Sequence, residues 1–224
     1  MSNDVRTATL ESEPAGSVPA SDGQPLAPPL SEDSRLAVEI RRLVKQGCDE
    51  EARERFGELV AMHQRRASRI AYQCLRDTSE ADEAVQDAFV KVFTRIESYR
   101  EAWPFEVWFT RILINGCLDR RKALSRRDRW VVKSEISTGD EFRLSTGHAA
   151  ADPERRLLAR ERREQIAAAI DRLDGRQRTV FVLCHYGDYT PREVSAMTGL
   201  NESTVRVHLF RASRKLRALL GAKR

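Results

Sequence analysis

Apolar residues recur at three- and four-residue spacing along most of the chain from near Ser31 onward, the period of amphipathic helices rather than of strands. Breaks at Gly47-Cys48-Asp49 and Arg76-Asp77-Thr78 divide the first patterned stretch, which runs to about Arg127. Within it, Val85, Ala88, Phe89, Val92, Phe93 and Ile96 fall on one side of a helix and predict a buried stripe. Ser137-Thr138-Gly139-Asp140 and Ser145-Thr146-Gly147-His148 then interrupt the pattern with turn formers, as a linker would. Asp152-Pro153-Glu154 places a capping residue before a proline at the first helical position, and helical spacing resumes to the end. The pattern contains no convincing strand and no internal repeat. It predicts an all-α chain of two small helical domains joined by a flexible linker, with boundaries at 1–30 (tail), 31–130, 131–152 (linker) and 153–224.

The second domain carries the most specific local signals. Thr190-Pro191-Arg192-Glu193 is a capping box, so a helix must begin there, and Gly199 supplies the left-handed residue that stops it. Asn201 caps a further helix from Glu202 to about Leu220. Two helices joined by a tight glycine turn predict a helix-turn-helix. On the last helix Val205, Leu209, Ala212, Leu216 and Leu219 form the inward stripe, while Ser203, Val207, Phe210 and Arg214 lie opposite, flanked by Arg206 and Arg211. Val and Phe among arginines suit a recognition helix in a major groove, the arginines reaching phosphates or guanine edges and Val207 a thymine methyl. The competing reading is a solvated basic helix with Phe210 packed on a neighbour.

Composition narrows the classes. The 224 residues are 41% hydrophobic, enough for real cores. No stretch approaches the roughly 18 uninterrupted apolar residues that spanning a membrane needs. The net charge of +5 is unevenly spread: 16 basic against 8 acidic residues from Glu154 onward give +8, leaving 23 against 26, or −3, before it. A basic C-terminal third calls for an anionic partner. The first 30 residues hold five of the eight prolines among small and acidic residues, the composition of a disordered tail. Cys48, Cys74, Cys117 and Cys184 are isolated and the four histidines scattered, so no metal site and no disulfide scaffold is expected; reduced, mostly buried thiols and a cytoplasmic location are. No apolar run follows a basic N-terminus as in a secretory signal.

Two features of the first domain ask for partners. The outward side of the Glu80 to Glu97 helix carries Glu83, Gln86, Asp87, Val90 and Thr94, a docking face for a basic protein surface or else an ordinary solvated face. Tyr99, Trp103, Phe105, Trp108 and Phe109 then place five of the 15 aromatic residues just before a run of arginines and lysines. Rings beside cations hold unstacked bases, at about 1–3 kcal/mol per stacked base. Helical spacing puts Phe105, Trp108, Phe109 and Ile112 on one side, so at most two of the five rings are expected to meet nucleic acid.

Glu80-Ala81-Asp82-Glu83-Ala84-Val85-Gln86-Asp87-Ala88-Phe89, the Trp108 to Arg121 stretch ending Leu118-Asp119-Arg120-Arg121, and Leu173-Asp174-Gly175-Arg176-Gln177-Arg178 followed by Thr204-Val205-Arg206 occur in that order. This series resembles the sigma factors of bacterial RNA polymerase, specifically the extracytoplasmic-function group, over roughly Phe56 to Arg127 and Pro153 to Leu220. The resemblance implies a transcription initiation factor whose partners are core RNA polymerase, promoter DNA as duplex and as melted non-template strand, and a dedicated anti-sigma factor. It maps polymerase docking onto Asp82, Glu83, Gln86 and Asp87, and the minus-10 strand onto Trp108, Asn115, Asp119, Arg120 and Arg121. The minus-35 duplex maps onto Arg206, Val207, His208, Phe210 and Arg211, to which the outer face adds Ser203, Thr204 and Arg214. Val207, His208 and Ser213 stand where that family commonly has Ser, Arg and Arg.

Such a factor needs no cofactor and no catalytic residue, and the sequence offers no nucleophile set, metal triad or glycine-rich phosphate loop. Two alternatives remain at this stage. A dimeric helix-turn-helix regulator that never enters polymerase would leave the acidic helix and the aromatic cluster without a task. An enzyme using Asp82, Glu83 and Asp87 as a metal cluster would need carboxylates that helical spacing instead spreads apart.

Overall fold

The computed structural model describes residues 30–130 and 153–221. The expected tail through residue 29 and the expected linker at 131–152 lie outside the described residues. Eight helices follow in order: α1 (Glu32–Lys45), α2 (Asp49–Leu75), α3 (Thr78–Thr94), α4 (Phe105–Trp130), α5 (Pro153–Asp171), α6 (Gly175–His185), α7 (Pro191–Thr198) and α8 (Glu202–Gly221). A single 3₁₀ turn, Ile96–Ser98, sits between α3 and α4, and no strand occurs among the described residues.

The helix ends follow from local chemistry. α2 stops at Arg76, which takes a left-handed conformation at φ 61°, and Asp77 then accepts the Glu80 amide at 2.9 Å to start α3. At α7 the capping box is complete: Thr190 Oγ1 accepts the Glu193 amide at 3.3 Å while the Glu193 carboxylate accepts the Thr190 amide at 2.8 Å. Such caps contribute about 1 kcal/mol each. Gly199, at φ 72°, turns the chain into α8 as the helix-turn-helix requires.

α1 to α4 form a bundle around Ile40, Leu59, Ile70, Phe89, Phe105 and Phe109, all buried. The Phe109 ring stacks on Phe89 with centroids 4.8 Å apart and lies parallel to Phe105. α5, α6 and α8 enclose a smaller core of Ile170, Leu173, Ala212 and Leu216. The chain is thus all-α with two helical domains.

The two domains are also packed on each other. The larger core continues without interruption from α4 into Leu183, Tyr189, Val194 and Met197. Along this seam the Tyr189 and Thr110 hydroxyls share a buried hydrogen bond of 2.7 Å. Arg66 donates to Glu106 at 2.6 Å and to the Gly187 carbonyl, with its guanidinium 4.3 Å from the centre of the Tyr189 ring. Arg69 faces Asp188 at 3.8 Å and Arg76 faces Asp171 at 3.5 Å. Burial pushes the Tyr189 hydroxyl up to about 12, so it stays protonated through the physiological range.

Candidate partner and nucleic-acid interfaces

α3 presents its acidic side as the hydrophobic pattern requires. Val85, Ala88, Phe89 and Val92 are buried, Asp82, Glu83, Gln86 and Asp87 are exposed, and Val90 is 63% exposed among them. The structure adds a contact that spacing could not show. Arg120, on the neighbouring face of α4, donates through Nη1 to Glu80 and Glu83 at 3.0 Å each and through Nη2 to Asp87 at 2.6 Å. These contacts, led by the hydrogen bond to Asp87, raise the Arg120 guanidinium further above its usual value against an opposing pull from burial. Glu83 and Asp87 therefore face a guanidinium, and no group of three or more His, Cys, Asp or Glu among the described residues could hold a metal ion.

The aromatic cluster divides only in part as the spacing suggested: Trp108 and Ile112, on the same predicted side as Phe105 and Phe109, are half-buried rather than core. Tyr99, Phe105 and Phe109 are core, whereas Trp103 and Trp108 are half-buried. Trp108 packs against Tyr99 and Phe105 with centroids 5.3 and 5.9 Å away, and Arg192 of the second domain sits over the Trp103 ring at 5.6 Å. Asn115 and Asp119 are exposed on α4, Asp119 facing Lys122 at 3.4 Å. Arg121 turns toward the second domain, close enough to Gly175 that a Cβ there would come within 2.9 Å of Nη2. With Lys122, Arg126 and Arg178 it lines an open cavity of about 600 Å³ at the junction of the domains. Burial lowers the Arg178 guanidinium, with Arg121 and Arg76 adding repulsion that Asp171 partly offsets. The side chains of Arg127 and Arg129 lie outside the described residues.

α8 carries its inward stripe on Val205, Ala212 and Leu216, all buried, with Leu209 and Leu219 half-buried. Its outer face shows Phe210 at 67% and Val207 at 46% exposure, flanked by exposed Ser203, Arg206, Arg211 and Arg214. At that exposure Phe210 is not covered by a neighbour among the described residues. Arg206 pairs with Glu202 at 2.5 Å, while Arg211 and Arg214 meet no carboxylate among the described residues. Thr204 and His208 are half-buried, and the His208 Nδ1 has no hydrogen-bond partner among the described residues. Sequence reasoning missed Arg66 and Arg178, whose neighbours come from distant parts of the chain. It also took the thiols as mostly buried: Cys74 and Cys117 are, Cys184 is partly, and Cys48 is exposed.

Comparison with known proteins fits this arrangement. The family model described as sigma-70 region 2 matches residues 59–127, and that described as sigma-70, region 4 matches residues 163–216. The chain belongs to the sigma factors of bacterial RNA polymerase, in the extracytoplasmic-function group, and so acts in promoter recognition and transcription initiation. It is 30% identical over 168 residues to the RNA polymerase sigma factor CnrH of Cupriavidus metallidurans, covering 75% of this chain and 87% of that protein. It is also 30% identical over 174 residues to the ECF sigma factor SigE of Mycolicibacterium smegmatis, covering 77% of this chain but 64% of SigE. Among solved structures it is similar to CnrH in complex with the cytosolic domain of CnrY, with a TM-score of 0.60 at 24% identity over 86% of this chain and 99% of that one. It is likewise similar to the sigma factor RpoE in complex with the anti-sigma factor NepR from Bartonella quintana, with a TM-score of 0.58 at 17% identity over 75% and 98% of the two chains. These likenesses support the fold.

Proposed function

We propose that residues 31–130 seat the chain on core polymerase through Asp82, Glu83, Gln86 and Asp87 and hold the minus-10 strand with Trp108, Asn115, Asp119, Arg120 and Arg121. Residues 153–224 read the minus-35 duplex through Ser203, Thr204, Arg206, Val207, His208, Phe210, Arg211 and Arg214, with 131–152 as the connection. The chain itself catalyses nothing: it supplies binding energy that offsets strand opening while polymerase makes RNA. It works in the cytoplasm, where polymerase is, and among the described residues no helix is long and apolar enough to cross a membrane. A dedicated anti-sigma factor is a further partner, in keeping with the two solved complexes.

The observation that carries this reading is the outer face of α8, where an exposed Phe210 and Val207 lie beside Arg206, which pairs with Glu202, and beside Arg211 and Arg214, which meet no carboxylate among the described residues. Exposed apolar groups flanked by exposed arginines match base methyls and phosphates better than they match water. Run-off transcription from core polymerase plus the purified chain tests the proposal. Promoter-specific transcripts are expected only when the chain is added; core enzyme that transcribes no better with it than without would overturn the reading.

A further inference from the structure

Arg120 stands between two surfaces that the proposed function assigns to different partners. It belongs to the basic segment proposed for the minus-10 strand, yet among the described residues its hydrogen bonds go to the carboxylates of α3. Glu80, Glu83 and Asp87 are three and four residues apart, so they share one helix face and converge on a single guanidinium. The Arg120 side chain is only 25% exposed, whereas Glu83 and Asp87 keep 60% and 55% of their side-chain surface open to an incoming partner. A partner can therefore reach the acids from outside while Arg120 lies behind them. An arginine committed to three carboxylates at hydrogen-bond distance has little to offer a phosphate, because leaving them would expose the acids to one another.

We propose that Arg120 is a latch linking polymerase docking to strand capture, an inference that rests on the function proposed above. In the free chain Glu83 and Asp87 hold Arg120 on α3. A basic polymerase surface that brings its own cations to those two acids removes two of its three partners. Glu80 alone then retains it, and the side chain is free to turn along α4 toward Asn115 and Asp119, where the unstacked strand would run. A small hollow of about 120 Å³ lined by Asp87, Lys91, Ile112, Gly116, Asp119 and Arg120 gives it room, and a Cβ at Gly116 would meet nothing within 4 Å. Because linkage is reciprocal, strand binding must strengthen polymerase docking by the same factor. Arg120 is thus a positioning residue for docking before it is a contact for DNA.

The test is a mutant cycle on the full chain, reading the affinity for a short fluorescein-labelled single-stranded oligonucleotide by anisotropy at low salt. Glu83→Gln with Asp87→Asn imitates the loss of those two partners and is expected to raise affinity about fivefold, the low end of allosteric couplings. With Arg120→Gln already present, the same pair of substitutions is expected to change affinity by no more than about twofold, the residue of a general charge effect. Two results would overturn the latch: no gain on neutralising Glu83 and Asp87, or an equal gain with and without Arg120, which would mean that the acids repel the strand through space alone. Circular dichroism on each variant establishes that it is folded. Wild-type run-off transcription separates the two levels of inference: transcripts without coupling sink the latch alone, and no transcripts sink the docking assignment beneath it.

Discussion

α3 and α8 are built alike and finished differently. Each buries one apolar stripe and leaves an apolar residue exposed on the far side, Val90 on α3 near Glu83 and Asp87, and Val207 with Phe210 on α8 beside Arg206, Arg211 and Arg214. On α3 the charge is answered from within, since Arg120 gathers Glu80, Glu83 and Asp87. Among the described residues, Arg206 of α8 pairs with Glu202 and Lys215 lies 3.9 Å from Asp174, whereas the exposed Arg211 and Arg214 meet no carboxylate. The difference teaches that, on the proposed reading, one face is organised before a partner arrives, while the other leaves its cations for a partner to meet. Organised faces give register and specificity; open cations give salt-sensitive affinity.

The sharpest way to break this comparison is Asp87→Arg. It removes the shortest hydrogen bond to Arg120 and sets like charges facing each other, both within the protein and toward a basic partner, where such juxtaposition costs several kcal/mol. Capture of core polymerase is expected to fall by well over tenfold with helicity unchanged, measured by co-purification beside circular dichroism. On α8 the expected outcome is a clean separation of binding from stability. Arg211→Ala should weaken promoter duplex binding by about 1–3 kcal/mol if it reads a base edge, and otherwise lower the salt slope by about one phosphate contact, without moving the melting temperature.

A smaller effect tests the seam between the domains. Thr110→Val or Tyr189→Phe alone leaves one buried hydroxyl short of a partner and should cost about 1–2 kcal/mol in chemical denaturation, whereas the double variant should recover most of that loss. The smallest effect concerns acid stability. At Asp33, burial pushes the carboxyl up, but His63 and Ser31 outweigh it and leave the group below its usual value. A depressed carboxylate contributes stability that is present above the unfolded value of about 3.8 and is lost as pH falls through the folded one. Asp33→Asn should therefore flatten the acid limb of a denaturation curve below about pH 4 and leave the neutral limb parallel to wild type.

Much of this was legible in the sequence because helices announce themselves locally. The breaks at Gly47 and Arg76, the Thr190 capping box, the Gly199 turn and the inward stripe of α8 all depend on neighbours within four residues. The burial of Phe105 and Phe109 was legible for the same reason, whereas the half-exposure of Trp108 and the burial of Tyr99 were not. The interdomain seam was not, since Arg66 and Gly187 are 121 residues apart and nothing in either neighbourhood names the other. Arg120 shows the same limit within one domain: the family resemblance assigned it to DNA and Asp87 to polymerase, and 33 residues of chain separate two side chains that touch. Left-handed Asp188, at φ 54°, also escaped, because nothing beside it marks the bend that brings Tyr189 onto α4.

Gly187 draws these threads to one atom. A methyl group there would come within 2.6 Å of the Leu183 carbonyl and 2.7 Å of the Tyr189 ring, so the loop tolerates no side chain at all while the ring stays where it is. A single alanine would therefore act as a wedge, prying the halves of the molecule apart from a spot that neither nucleic acid nor polymerase is expected to touch. Whatever such a variant gains or loses in transcription would measure how tightly this clasp holds the factor at rest.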